Sequence, residues 1–128
     1  MGIPNAVTVS ETGPKYANSV KIGAHALMAD ASRADGGADA GPQPFEYVLA
    51  GLGACTTMTV RMYAERKGWP LRHVSVVVTM PEPAKLVRTL TLEGDLDDEQ
   101  RRRLIAIAEH CPVHKFLKAE KSIETVTG

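Results

Sequence analysis

The sequence predicts an α+β protein with a mostly antiparallel sheet. Strand-like runs come in adjacent pairs, two longer segments carry helical periodicity, and the helices do not alternate one for one with strands. The last point disfavours a parallel doubly wound sheet. The expected order is β-β-β-α-β-β-α-β in one domain over residues 1–128. A chain of this size buries roughly two thirds of the surface it exposes unfolded, so it can hold a core without staples.

Residues 6–9 are short and β-branched, Gly13-Pro14 punctuates them, and residues 19–22 alternate polar and apolar side chains. Gly23 breaks that run and residues 25–29 form a third strand. Residues 31–42 are small and glycine-rich but lack the Lys-Ser/Thr pair of a phosphate loop, so they read as a mobile connection. Pro44 suits a first helical position. From there to about residue 67, Phe45, Val48, Leu52, Cys55, Thr59 and Met62 fall three or four apart, one stripe of a buried helix. Gly51 and Gly53 within it imply close packing against another backbone.

Gly68-Trp69-Pro70 stops that helix. Val74, Val76, Val78 and Met80 alternate along a strand, residues 81–84 turn the chain, and residues 86–93 answer with Leu86, Leu90 and Leu92 on one face. Asp97 caps the next helix with Gln100 completing a capping box. Leu104, Ile107, Ala108 and Cys111 mark its inner face, and Pro112 ends it. Residues 122–126 read as a closing strand.

Fifteen basic and 15 acidic side chains cancel, and 5% of residues are aromatic, which argues against nucleic-acid binding. No apolar run approaches the roughly 18–20 residues of a membrane span. The first residues lack a basic stretch followed by an apolar one, so a cytoplasmic location is expected. In that reducing compartment Cys55 and Cys111 are not expected to form a structural disulfide.

The segment His110-Cys111-Pro112-Val113-His114 is the densest cluster of reactive side chains. Zinc binding by His110, Cys111, His114 and Cys55 is disfavoured, since there is no Cys-x-x-Cys pair and adjacent helical residues point apart. A Cys–His nucleophile needs a spatial adjacency that spacing does not show. Both histidines read as partly exposed residues at a helix end. A redox pair is the third reading: Cys111 at a helix C-terminus, where the field disfavours a thiolate, and Cys55 mid-helix, open to activation by a cation. Plain core packing of both cysteines is the alternative. Arg101, Arg102 and Arg103 read as a solvated face.

The run from Gly41 to Thr56 (GPQPFEYVLAGLGACT), then Met62-Tyr63-Ala64, and the run from Ile107 to His114 (IAEHCPVH) resemble the family of osmotically inducible protein C and the organic hydroperoxide resistance proteins. The resemblance implies an OsmC-like intertwined homodimer with two central helices and active sites at the dimer interface. It also implies thiol-dependent reduction of organic hydroperoxides, with Cys55 peroxidatic and Cys111 resolving. An external dithiol of lipoyl or thioredoxin type would restore the thiols, without cofactor or metal. In the family's characterised peroxidases a glutamate directly follows the helix-start proline. Here Phe45 holds that place and Glu46 comes one later, about 100° round the helix, so Glu46 becomes a candidate partner across the dimer. The family's early arginine has no motif match. Arg33 is the candidate thiolate stabiliser, beside Lys15 and Lys21. The substrate pocket is assigned to Val48, Leu52, Met58 and Phe116, contributed by both chains. The Pro-aromatic-Glu start places the sequence nearer the family's less characterised branch. The alternative function is therefore a non-peroxidatic OsmC-like protein that binds an apolar small molecule or acts as a general thiol protein.

Overall fold

The computed structural model describes residues 2–128. The chain forms two compact units, one up to Ala50 and one over Gly51–Gly128. In the first, strands β1 (Val7–Glu11), β2 (Asn18–Ile22) and β3 (His25–Ala29) form an antiparallel sheet in that order. Val9 stands opposite Val20, and Val20 opposite Leu27. Gly23, at φ +57°, opens the two-residue turn between β2 and β3, where a positive φ matches the twist of the hairpin.

The segment expected to be a mobile connection is instead built round one carboxylate. Buried Asp30 accepts backbone N–H groups from Ala31 at 2.7 Å, Ala38 at 3.2 Å and Ala40 at 3.1 Å. A 3₁₀ turn at Arg33–Asp35, capped by Ser32, fills the loop. A Cβ on Gly37 would stand 2.1 Å from the Ala31 carbonyl oxygen, so glycine is required there. Small residues thus serve tight folding here, which composition does not distinguish from looseness.

Helix α1 runs over Pro44–Lys67, the expected bounds, and crosses from the first unit into the second. Its start is secured by the Glu46 carboxylate, which accepts the Gln43 N–H at 2.7 Å. Its end is a Schellman closure. Gly68 sits at φ +67°, Trp69 N–H reaches Ala64 O at 2.9 Å, and Gly68 N–H reaches Glu65 O at 3.1 Å.

In the second unit, β4 (Leu71–Glu82) and β5 (Lys85–Gly94) pair as an antiparallel hairpin. The strands run closer together than expected, leaving only Pro83-Ala84 as the turn, with a register shift between Thr79 and Glu82. Pro81 is tolerated because a two-stranded sheet consists of edges. Helix α2 spans Asp98–Ile107, its Asp97–Gln100 capping box complete at 2.7 and 3.0 Å. The core joins Val60, Ala64, Leu71, Leu96, Leu104 and Ala108.

Four further expectations are corrected. The buried residues of α1 are Leu52, Cys55, Thr56, Val60 and Ala64, whereas Phe45, Val48 and Met62 are exposed. This helix has apolar side chains on more than one face, so the expected stripe meets the buried face at Leu52 and Cys55 and leaves it towards both ends. A Cβ on Gly51 would meet nothing within 4 Å, and one on Gly53 would meet the Val78 side chain rather than a backbone. The second helix ends at Ile107, followed by a 3₁₀ turn over Ala108–His110, and Pro112 opens a third helix, α3 (Pro112–Lys118). Residues 122–126 are not a strand, since Ile123 and Val126 lie exposed and β-branched residues make a strand only with a partner to pair.

Candidate active site

Cys55 reaches inward from the middle of α1, and Cys111 lies in the extended link between the 3₁₀ turn and α3. Both are buried thiols, not joined in a disulfide. With Leu52 they form one apolar cluster, flanked by Val78, Val113 and Leu117. The two side chains are neighbours within that cluster. Burial pushes the Cys55 thiol above its ordinary pKa, and the Cys111 side chain adds to the rise. The Val113 backbone N–H and the Thr59 hydroxyl, 4.0 Å from the sulfur, oppose it.

Cys111 does not sit at a plain helix C-terminus, as expected. At φ −61°, ψ 130° it is also the residue on which α3 begins. The helix-field argument for unequal thiols therefore falls, and the inequality must come from local contacts. The structure instead places a guanidinium one residue from Cys55. Arg88 donates from Nη1 to Thr56 Oγ1 at 3.1 Å and from Nη2 to His114 Nδ1 at 2.9 Å. Thr56 is fully buried and donates in turn to Leu52 O at 2.7 Å. Glu109 Oε2 lies 3.1 Å from His114 Nε2 and 3.6 Å from Arg88 Nη2. His114 is thus no idle helix-end residue. Burial and the Arg88 charge hold its pKa below the usual histidine value, against the pull of Glu109.

Arg88 faces this cluster because Val78 stands directly opposite it in the hairpin, and cross-strand partners share a face. The signal was in the sequence: Leu86, Arg88, Leu90 and Leu92 occupy alternate positions, and Arg88 is the lone charge among them. Arg88, Glu109, His114 and Lys118 line a cavity of about 500 Å³ together with Leu52 and Leu117, the two leucines that also border the cysteine cluster.

Of the residues expected to form the site, Cys55, Cys111 and Leu52 come together. Met58 is half exposed and lines a separate cleft with Thr57, Arg61 and His73. Phe116 is exposed, with the Lys121 ammonium over its ring. Val48 is exposed on the first unit's part of α1. Arg33 is exposed in its 3₁₀ turn, and Glu46 is committed to capping α1. Among the described residues no three His, Cys, Asp or Glu side chains are grouped to hold a metal, and no helix is long and apolar enough to cross a membrane.

The class the fold and the site define is an α+β frame that carries two buried cysteines in one apolar cluster. The family model described as OsmC-like protein matches residues 36–126, and the chain belongs to that family. Its fold is similar to that of an OsmC-like protein from Mycoplasma pneumoniae (TM-score 0.77, 17% identity, covering 92% of this chain and 89% of that one). It is also similar to the organic hydroperoxide resistance protein OhrB of Bacillus subtilis (0.62, 21%, 91% of each). A third likeness is to an organic hydroperoxide resistance protein OsmC from Legionella pneumophila (0.59, 21%, 88% and 89%). At such identities these likenesses establish the fold. No curated protein matches the sequence.

Proposed function

We propose that this protein is a thiol-dependent peroxidase that reduces organic hydroperoxides in the cytoplasm, in defence against oxidative stress, and that it works as an intertwined homodimer. The observation that carries this reading is the burial of Cys55 and Cys111 together inside one apolar cluster. Cys55, as thiolate, attacks the terminal peroxide oxygen. The O–O bond breaks, the alkoxide takes a proton and leaves as alcohol, and Cys55 becomes a sulfenic acid. The Cys111 thiol condenses with it, releasing water and forming a disulfide. An external dithiol of lipoyl or thioredoxin type then reduces that bond by exchange and is itself oxidised. The cavity beside Leu52 and Leu117 would take the organic group, and the Arg88 guanidinium on its wall would offer N–H donors to the leaving oxygen. Val48, Met58 and Phe116 would add apolar surface only if the second chain brings them to the site, and Arg33 and Glu46 likewise would act across the dimer.

The test is consumption of cumene hydroperoxide by the purified protein with a dithiol, with Cys55→Ser abolishing it. Equal turnover by the serine variant would refute the assignment.

One observation favours a second reading, a non-peroxidatic protein that binds an apolar molecule. The Cys55 thiol is pushed up, so little thiolate is present near neutrality. Thiol titration separates the two. Rapid loss of both thiols on adding equimolar hydroperoxide, without crosslinking between chains, supports the peroxidase. Loss no faster than that of free cysteine supports the binder.

A further inference from the structure

Away from the cysteines, the end of α1 and the start of α2 enclose a groove of about 530 Å³, within the usual range for a small-molecule site. Tyr63, Lys67, Trp69, Gln100, Arg102 and Arg103 line it. Three cations converge on one ring, for Arg66, Lys67 and Arg103 each stand 5.6 Å from the Tyr63 centroid. Arg103 Nε also donates to the Tyr63 hydroxyl at 3.0 Å, and this contact, with the neighbouring charges, lowers the phenol's pKa. Trp69 meets Tyr63 edge to face at 5.6 Å.

Among the described residues, none of Arg66, Lys67, Arg102 and Arg103 has a carboxylate within ion-pair distance, although the chain as a whole is neutral. Two acids do line the groove, Asp97 and Glu99. The Asp97 carboxylate is committed to the Gln100 N–H at 2.7 Å, and the Gln100 carbonyl to the Asp97 N–H, which leaves the Gln100 amide NH₂ as a further donor. An aromatic ring can stabilise a nearby cation, but each exposed contact is worth only about 0.5–1 kcal/mol. Three like charges round one ring also repel one another. A multiply charged anion among them would relieve that repulsion and accept the forked donors of the two arginines.

We propose that this groove binds a small organic phosphate bearing an aromatic ring, its phosphate held by Lys67, Arg102 and Arg103 and its ring laid against Trp69. A free inorganic anion would use only the cations, and an uncharged ring only the tryptophan. Joining both parts in one molecule is what this lining matches. The site lies outside the thiol chemistry and does not depend on it.

Trp69 is the only tryptophan in the chain, so its fluorescence reports the groove directly. The full-length protein would be titrated with AMP, phenyl phosphate, adenosine and inorganic phosphate separately. Saturable quenching by AMP or phenyl phosphate is expected, with adenosine and inorganic phosphate each at least about tenfold weaker, equivalent to ~1.4 kcal/mol. AMP binding well above phenyl phosphate would assign the site to nucleotides, and equal binding to ring phosphates in general. Arg103→Gln and Lys67→Gln, on two different helices and both at exposed positions, should each weaken AMP binding about tenfold. Circular dichroism and the thiol titre would check that the variants fold. The proposal is overturned if neither phosphate ester gives saturable quenching, if adenosine binds as well as AMP, or if both folded variants bind like the parent.

Discussion

Arg88 Nη2 donates to His114 Nδ1 at 2.9 Å, and this one contact sets the state of the histidine. Arginine can only donate, so Nδ1 must carry the lone pair and the proton must sit on Nε2, 3.1 Å from Glu109 Oε2. The imidazole is held neutral between a fixed cation and a fixed anion. Burial and Arg88 depress its pKa from the ordinary value of 6.5. A depressed histidine contributes stability above that value, and the contribution is lost as pH falls towards the folded value, because the unfolded chain takes up the proton first. Arg88→Met should raise the His114 titration midpoint measured by NMR. A midpoint that does not move would mean that Arg88 has no electrostatic hold on the ring.

The two cysteines make a second titration experiment. Cys111 raises the Cys55 pKa through both its hydrogen bond and its charge, after burial as the leading cause. Cys111→Ser removes the second ionisable sulfur and leaves a hydroxyl able to donate to a thiolate. The pH midpoint for alkylation of Cys55 by iodoacetamide should therefore fall in this variant. An unchanged midpoint would leave burial as the only cause of the shift. In the parent protein, alkylation of Cys55 should keep accelerating as pH rises through and beyond the ordinary thiol range.

Much of this site could be read from the chain, and the part that could not has a physical reason. Cys55 and Leu52 fall on the helical period that α1 uses for burial, and Cys111 lies on the apolar side of the following segment, so their meeting was legible. The capping box at Asp97 and the proline start of α1 were local signals and needed no tertiary knowledge. Arg88 is harder to see, because the leucines carry the period of its strand and the partners of an inward charge come from segments distant in sequence. Pro112 suits the end of one helix and equally the first turn of the next, so the local sequence does not announce α3. The exposed apolar positions Val48, Met58 and Phe116 show the remaining limit, since spacing gives the period of a helix and not which face meets the core.

The three consecutive arginines of α2 have different duties, and stability measurements should separate them. Arg101 donates to three main-chain oxygens, Leu92 at 2.8 Å, Gly94 at 2.9 Å and Leu96 at 3.3 Å, tying α2 to the end of β5. It is therefore not part of a solvated face. Arg101→Met leaves these carbonyls without their charged partner and should cost about 2 kcal/mol of unfolding free energy. Arg102→Ala, at an exposed position, should stay within about 0.5 kcal/mol of the parent in urea denaturation. Equal effects at the two positions would remove the clamp from the account.

Leu104 is wholly buried among Val60, Ala64, Leu71 and Ala108. Leu104→Ala deletes core volume without removing any hydrogen bond, and should destabilise the protein by roughly 2–5 kcal/mol. Tyr63 and Trp69 pack against the same cluster, so the lost packing should also appear as a change in tryptophan emission. A cost below about 1 kcal/mol would mean that the cluster collapses to fill the space.

Asp30 offers a test whose sign depends on pH. The N–H donors of Ala40, Ala31 and Ala38 hold its carboxyl below the ordinary value of 3.8, with the Ala40 contact the largest cause and burial opposing it. A depressed carboxylate contributes stability that is complete above the unfolded value and is lost as pH falls through the folded one. Asp30→Asn keeps a single oxygen where the parent has two, so it cannot accept all three N–H groups. The variant should be less stable than the parent at neutral pH. Amide exchange at whichever of Ala31, Ala38 and Ala40 loses its acceptor should accelerate in it. As pH drops below about 4, the unfolded parent takes up the proton first, and the stability gap should narrow until the folded carboxyl also protonates, because the asparagine has no proton to gain. A gap that stays constant into acid would show that the loop is held by its backbone turns alone, with the charge of Asp30 contributing nothing.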